Sequence, residues 1–209
     1  MALQTVSDLT IVPVVPVAGI PPASDMKGHG MAQLCLYELA WSCYLFKHVV
    51  DFDISWNALQ SATNGAVDIR NPAHGRALLK WLNAWGCRQF AKGRHDQAAA
   101  QIIAWFNDDE SCLSTPDADI LESDESTLAA IGPAFDRLSA LTASVRSDGV
   151  KATVGPVGAA KILFALRPKL LGPWDTPIRE HFGYDGSGAS YVEHMRHIRS
   201  VLCDIQTEC

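Results

Sequence analysis

The chain has 209 residues, of which 48% are hydrophobic and 19% are charged, and its formal net charge is −6. This length suits a single domain that buries about 70% of the surface of its unfolded chain, and the composition is that of an ordinary globular protein. Because no apolar run approaches the roughly 20 residues that cross a bilayer, the sequence argues against a membrane-spanning protein.

The first 27 residues are rich in proline, with Pro13, Pro16, Pro21 and Pro22. Prolines three residues apart suit neither a helix interior nor a central strand, so residues 1–27 are predicted to form an extended arm. This segment also carries Asp8 and has no basic leader. It is therefore unlike a secretory signal, and a cytoplasmic protein is expected.

From residue 28 onward, apolar residues recur at helical spacing, which predicts one all-α domain over residues 28–209. The predicted apolar stripes run from Leu36 to Phe46, Leu78 to Trp85, Ala99 to Phe106, Phe135 to Val145, Ile162 to Leu166 and Tyr191 to Leu202. Pro133 is a favoured first-turn residue and predicts the start of the fourth helix, while Arg167-Pro168 predicts the end of the fifth. Because alternating strand-like runs are missing, a bundle of about seven to nine helices is predicted.

Acidic and basic residues are unevenly spread along the chain. The segment NDDESCLSTPDADILESDES, residues 107–126, contains eight acidic residues and no basic one. Its spacing lacks the ligand pattern of an EF-hand, so it is predicted to be a solvated loop between two lobes, 28–106 and 127–209. Residues 70–100 contain six basic residues and one acidic residue, and residues 151–200 contain seven and four. These two segments would form a positive face if they meet in space, and are otherwise solvated helix faces.

The six cysteines include no CxxC pair. Thiols stay reduced inside the cell, so neither a disulfide framework nor a zinc site is predicted. His194 and His197 lie three residues apart on the last predicted helix and come nearest to a metal-binding pair. A solvated helix face is the favoured interpretation of that pair, and no metal or cofactor is predicted.

The chemistry is concentrated in residues 154–183, VGPVGAAKILFALRPKLLGPWDTPIREHFG. Gly155-Pro156-Val157-Gly158 predicts a tight turn with a helix directly after it. The free N–H groups at such a helix start, together with the positive end of its dipole, can bind a phosphate. Asp175 precedes Thr-Pro and is predicted to cap the next helix. A carboxylate held there could stabilise a cationic sugar or activate a water, although capping alone explains the residue equally well.

The motifs GPVGAAKIL and PWDTPIR resemble the helix-hairpin-helix (HhH-GPD) superfamily of base-excision DNA glycosylases. The resemblance implies that Gly155, Val157 and Gly158 hold a DNA phosphate. It also implies that Asp175 is the essential carboxylate and that Lys161 is an amine nucleophile, which would give a Schiff base and strand nicking. A looser likeness, through Trp85-Gly86-Cys87-Arg88 and Lys161-Ile162-Leu163 with Trp174-Asp175, links the chain to uncharacterised bacterial proteins.

Four further residues are candidate ligand contacts. Trp174 and Trp85 are candidates for stacking on a base, and Arg88 and Arg179 for contacting a phosphate or holding Asp175. The first expectation is an N-glycosidic bond hydrolase acting on a nucleic-acid base or a nucleoside-like ligand.

Two alternative functions stay open. One is a non-catalytic helix-hairpin-helix module that binds nucleic acid or protein. The other is a small-molecule enzyme that uses Glu38 or His74 in a helical pocket. The sequence leaves the oligomeric state open.

Overall fold

The computed structural model describes residues 39–41, 43, 44, 54–90, 93, 95–145 and 147–207. The helices over these residues are α1 (Ile54–Ala62), α2 (Pro72–Ala84), α3 (His95–Asp109), α4 (Glu125–Ala140), α5 (Gly155–Leu166), α6 (Thr176–Phe182) and α7 (Gly188–Thr207). A 3-10 helix, Glu110–Leu113, follows α3, and the antiparallel strands β1 (Thr142–Val145) and β2 (Lys151–Thr153) lie between α4 and α5. The predicted mostly helical class is therefore confirmed.

Several features that the sequence analysis names fall outside the described residues. These are the proline-rich residues 1–27, Glu38 and both ends of the Leu36–Phe46 stripe, of which residues 39–41, 43 and 44 are helical. All the described residues belong to one compact unit spanning Gln33–Cys209. No helix in the described part of the chain is long and apolar enough to span a membrane.

The prediction for α4 was wrong at both ends. The helix begins at Glu125, where the side chain of Asp124 accepts a hydrogen bond from Thr127 N at 2.7 Å. Pro133 therefore lies inside the helix and not in its first turn. The helix ends at Ala140, and Val145 belongs to β1, because the chain turns there to pair with β2.

The core is built around large aromatic side chains from several helices. Phe135 of α4 stacks on Tyr191 of α7 with ring centroids 4.5 Å apart, and both rings pack on Trp174. A close approach of α4 and α7 supports this cluster, since a Cβ at Gly188 would overlap the carbonyl oxygen of Gly132. The cluster fixes the segment that precedes α6.

The start of α5 also differs from the sequence prediction. Gly155-Pro156-Val157-Gly158 does not form a separate turn but is the first turn of the helix itself. Gly155 has φ +68°, a left-handed conformation open to glycine, and Pro156 has the fixed φ that suits a first helical turn. The element that precedes α5 is strand β2, so the described residues form a strand–helix junction at this point.

Candidate functional site

Within the part of the chain that the structure describes, no side chain caps the first turn of α5. The N-cap residue, Val154, makes no side-chain hydrogen bond, so the first N–H groups of the helix have no side-chain acceptor there. Gly155 and Val157 are half-buried, whereas Gly158 is buried. A Cβ at Gly158 would come within 2.9 Å of Gln89 Nε2, so this glycine allows close packing of the Gln89 side chain. The turn thus offers backbone donors beside a tightly packed interior.

Trp174 ties the segment before α6 to this turn. Its indole Nε1 donates to the carbonyl oxygen of Pro156 at 3.0 Å. The side chain is 1% exposed and its ring packs at right angles to Phe135. A base could stack on this ring only if the ring left the core, so Trp174 acts here as an anchor for the chain.

Asp175 follows this anchor and caps α6, as the sequence predicts. Its Oδ1 accepts a hydrogen bond from Ile178 N at 3.1 Å, and the residue is half-buried. Among the described residues, no basic side chain forms an ion pair with this carboxylate. Because Oδ1 makes the cap, Oδ2 is the oxygen available to a ligand or a water.

Arg179 brings a positive charge to the same place. Its guanidinium carbon lies 6.0 Å from the centre of the Trp174 ring, and its Nε is buried without an acceptor. A Cβ at Gly186 would clash with Arg179 Nη1 and would lie 3.3 Å from Pro156 Cγ. The guanidinium therefore lies near the first turn of α5, in a space that the absence of a side chain at Gly186 leaves open.

Lys161 is engaged elsewhere. Its Nζ donates to the carbonyl oxygen of Trp85 at 2.6 Å and lies 5.3 Å from the centre of the Trp85 ring. Trp85 is the C-cap residue of α2, so the ammonium group satisfies a carbonyl at the end of that helix. No hydrogen bond or ion pair joins Lys161 to Asp175, although the structure describes both residues.

The turn after α2 contacts the residue that precedes α5. Gln89 Nε2 donates to Val154 O at 2.7 Å, directly before α5. Arg88, the residue before it, is exposed. Sequence reasoning missed Gln89 and Gly186, since nothing local marks either residue and their contacts with α5 are long-range.

Among the described residues, neither His74 nor His194 forms a hydrogen bond with Asp175, although the His194 ring lies 5.7 Å from the Trp174 ring. His74 is half-buried, and its Nδ1 accepts a hydrogen bond from Asp68 N at 3.1 Å. His194 is 5% exposed, its Nδ1 has no partner, and burial together with the nearby His197 lowers its pKa to about 4. Within the described residues no three ligand-type side chains cluster as a metal site would require.

Two surface clefts lie outside this site. One, of about 400 Å³, is lined by Arg70, Lys169 and other residues at the C-terminal end of α5. The other, of about 620 Å³, lies between α2 and the start of α3 and is lined by Arg76, Lys80, Asn83, Ala84 and His95. Asp175 lines neither of them and is half-buried where it caps α6.

Comparison of the chain with protein-family models, with curated proteins and with solved structures finds no match. The geometry of the residues around α5 therefore carries the functional argument.

Proposed function

We propose that the protein hydrolyses an N-glycosidic bond in a phosphate-bearing ligand, a nucleotide or a nucleic acid. The first turn of α5 would bind the phosphate, and Asp175 would supply the carboxylate. The observation that supports this best is the hydrogen bond from Trp174 Nε1 to Pro156 O, 3.0 Å long, because it holds the residue before Asp175 against that turn.

Positive charge and backbone N–H donors at the start of α5 support the phosphate site. The start of a helix carries a partial positive charge and unpaired N–H groups, a combination that binds phosphate. No side chain caps this turn, and the Arg179 guanidinium lies beside it. Arginine is well suited to a second contact because its planar group donates two parallel hydrogen bonds to phosphate oxygens.

Asp175 has the properties that the reaction requires. As the base leaves, positive charge develops on the sugar, and a fixed carboxylate stabilises that charge. Oδ1 is held by Ile178 N, so Oδ2 can face the sugar or orient a water. The water oxygen bonds to the anomeric carbon and the water gives up one proton, while the bond from that carbon to nitrogen breaks. The base leaves with the electron pair of that bond and takes up one proton, so that one water is added across the bond.

The engagement of Lys161 limits the chemistry. An amine nucleophile must be free to attack the sugar, but Lys161 Nζ is bound to Trp85 O and makes no contact with Asp175. We therefore propose hydrolysis without a Schiff base, so that a DNA product would keep an intact strand at the abasic site.

A non-catalytic binding module is the second candidate, because Asp175 caps α6. Capping alone gives a structural reason for an aspartate at this position. The module would bind phosphate through the same turn of α5 and Arg179.

Asp175→Asn separates the two candidates, since asparagine caps a helix as well as aspartate does. The test uses 5′-labelled oligonucleotides with damaged bases, together with free nucleotides, and measures base release at low salt. Asp124→Asn is the matched control, because Asp124 is the N-cap of α4 and its side chain bonds to Ser126 and Thr127 of that helix. Base release by the wild type and by Asp124→Asn, but not by Asp175→Asn, is the expected result.

Other outcomes reject one or both candidates. Binding without base release by the wild type supports the module and rejects the hydrolase. Base release that survives Asp175→Asn shows that another residue supplies the carboxylate. If neither oligonucleotides nor nucleotides bind, both proposals fail.

A further inference from the structure

Four basic side chains lie on α2, on the turn that follows α2 and on α5, which contacts this turn. They are Arg76, Lys80, Arg88 and Lys161, which together are called here the α2–α5 strip. Arg76 and Lys80 are one helical turn apart and line the cleft of about 620 Å³ between α2 and the start of α3. Both Lys80 and Arg88 are exposed to solvent.

Two hydrogen bonds join the turn after α2 to α5 and to the residue before it. Lys161 Nζ reaches the carbonyl oxygen of Trp85 at the end of α2. Four residues further along, Gln89 Nε2 donates to Val154 O, the carbonyl just before α5. These two hydrogen bonds hold the turn that carries Arg88, directly after α2, against α5.

Four other cations in the described part of the chain form ion pairs with carboxylates. The ion pairs are Arg137 with Asp109, Lys169 with Asp117, and Arg196 and Arg199 with Glu125. On the strip, Arg76 Nη1 lies 3.5 Å from Asp96 Oδ1. This ion pair is weak, because both side chains are more than half exposed. Lys80, Arg88 and Lys161 form no ion pair with any residue that the structure describes.

We propose that the α2–α5 strip binds the sugar–phosphate backbone of a single-stranded nucleic acid. A positively charged track that follows one backbone is how proteins bind single strands without sequence preference. The strip's few cations can neutralise only about three phosphates, and the formal net charge of −6 opposes a duplex, whose charge density is higher. The track ends at the phosphate site proposed for the first turn of α5. Only this last site depends on the proposed function, and the rest of the strip does not.

The binding test uses the full chain and a 5′-fluorescein-labelled dT12 strand, read by fluorescence anisotropy between 50 and 200 mM salt. Three neutralised phosphates predict a slope of about −2 in log K against log salt, which weakens binding about 20-fold over this range. Lys80→Ala and Arg88→Ala should each reduce the slope by about 0.7. Lys169→Ala is the matched control, because Lys169 is an exposed lysine beyond the other end of α5.

The control and a duplex probe make the proposal refutable. The proposal is rejected if the strand does not bind, if Lys169→Ala weakens binding as much as Lys80→Ala, or if a 12-base-pair duplex binds more tightly than the single strand. All three substituted residues are exposed, so each variant should fold like the wild type. Melting curves of the three variants must confirm this, because a loss of fold would mimic a loss of binding.

Failure of this proposal can be told apart from failure of the proposed function. Salt-dependent binding in the absence of any base release supports the strip and rejects the hydrolase. Base release from a free nucleotide without binding of dT12 supports the hydrolase and rejects the strip.

Discussion

His194 should make the folded protein sensitive to mild acid. Its side chain is 5% exposed, its Nδ1 has no hydrogen-bond partner, and burial and His197 lower its pKa to about 4. In the unfolded chain the histidine pKa returns to about 6.5. Between these values the unfolded state binds more protons than the folded state, so the free energy of unfolding falls as the pH falls.

The size of the effect follows from the two pKa values. At pH 7 the group is largely neutral in both states and costs little. Proton linkage gives a loss of about 0.8 kcal/mol at pH 6, about 2 kcal/mol at pH 5 and about 3 kcal/mol at pH 4. The pKa of Asp185 is lowered to about 2, so the loss of stability that accompanies its protonation lies mainly below this window.

Urea unfolding of the wild type and of His194→Leu at pH 7, 6 and 5 measures this effect. The variant cannot take up the proton, so its stability relative to wild type should rise by about 2 kcal/mol between pH 7 and pH 5. His181→Leu, at an exposed position on α6, is the control and should follow the wild type. A difference between His194→Leu and wild type that stays constant within about 0.5 kcal/mol over this range would refute the reasoning.

Two further substitutions test packing and capping. Gly188→Ala should lower the free energy of unfolding by about 3 kcal/mol, because the new Cβ would overlap the Gly132 carbonyl. Gly93→Ala is the control and should change this free energy little, since a Cβ there meets nothing within 4 Å. Urea unfolding of both variants measures the difference. Lys161→Met keeps the aliphatic stem but removes the bond to Trp85 O, so a loss of about 1–2 kcal/mol is expected in the same assay. Base release that the wild type shows should survive Lys161→Met, and its loss would return Lys161 to the reaction.

Helices with a clear local pattern could be predicted from the sequence. The stripe from Leu78 to Trp85 lies on α2 and its C-cap, and the stop at Arg167-Pro168 agrees with α5 ending at Leu166. The capping role of Asp175 was equally local, because the side chain reaches a backbone N–H only three residues away. In each case the residues that determine the structure are close together in the sequence.

Features that depend on distant contacts could not be predicted in this way. Pro133 predicted a helix start, but α4 continues through Gly132 and Pro133. Gly132 packs against Gly188 on α7, a contact between residues distant in sequence. The acceptor of the Lys161 ammonium lies 76 residues away in sequence. Strands β1 and β2 have only four and three residues, too few for alternation to reveal them.

The charge of a surface likewise depends on contacts between residues that are distant in sequence. This local charge determines which ligands the protein attracts. The acidic segment 107–126 accounts for much of the negative total, yet Asp109 and Glu125 within it are paired with arginines of α4 and α7. Their fields are thus partly cancelled at short range, and exposed charges farther than about 8 Å are screened at physiological salt. Among the described residues, the only ion pair that Arg179 and the cations of the α2–α5 strip form is the weak one between Arg76 and Asp96. An approaching anion therefore meets the local positive groups around α5, and the net charge of −6 is a poor guide to this surface.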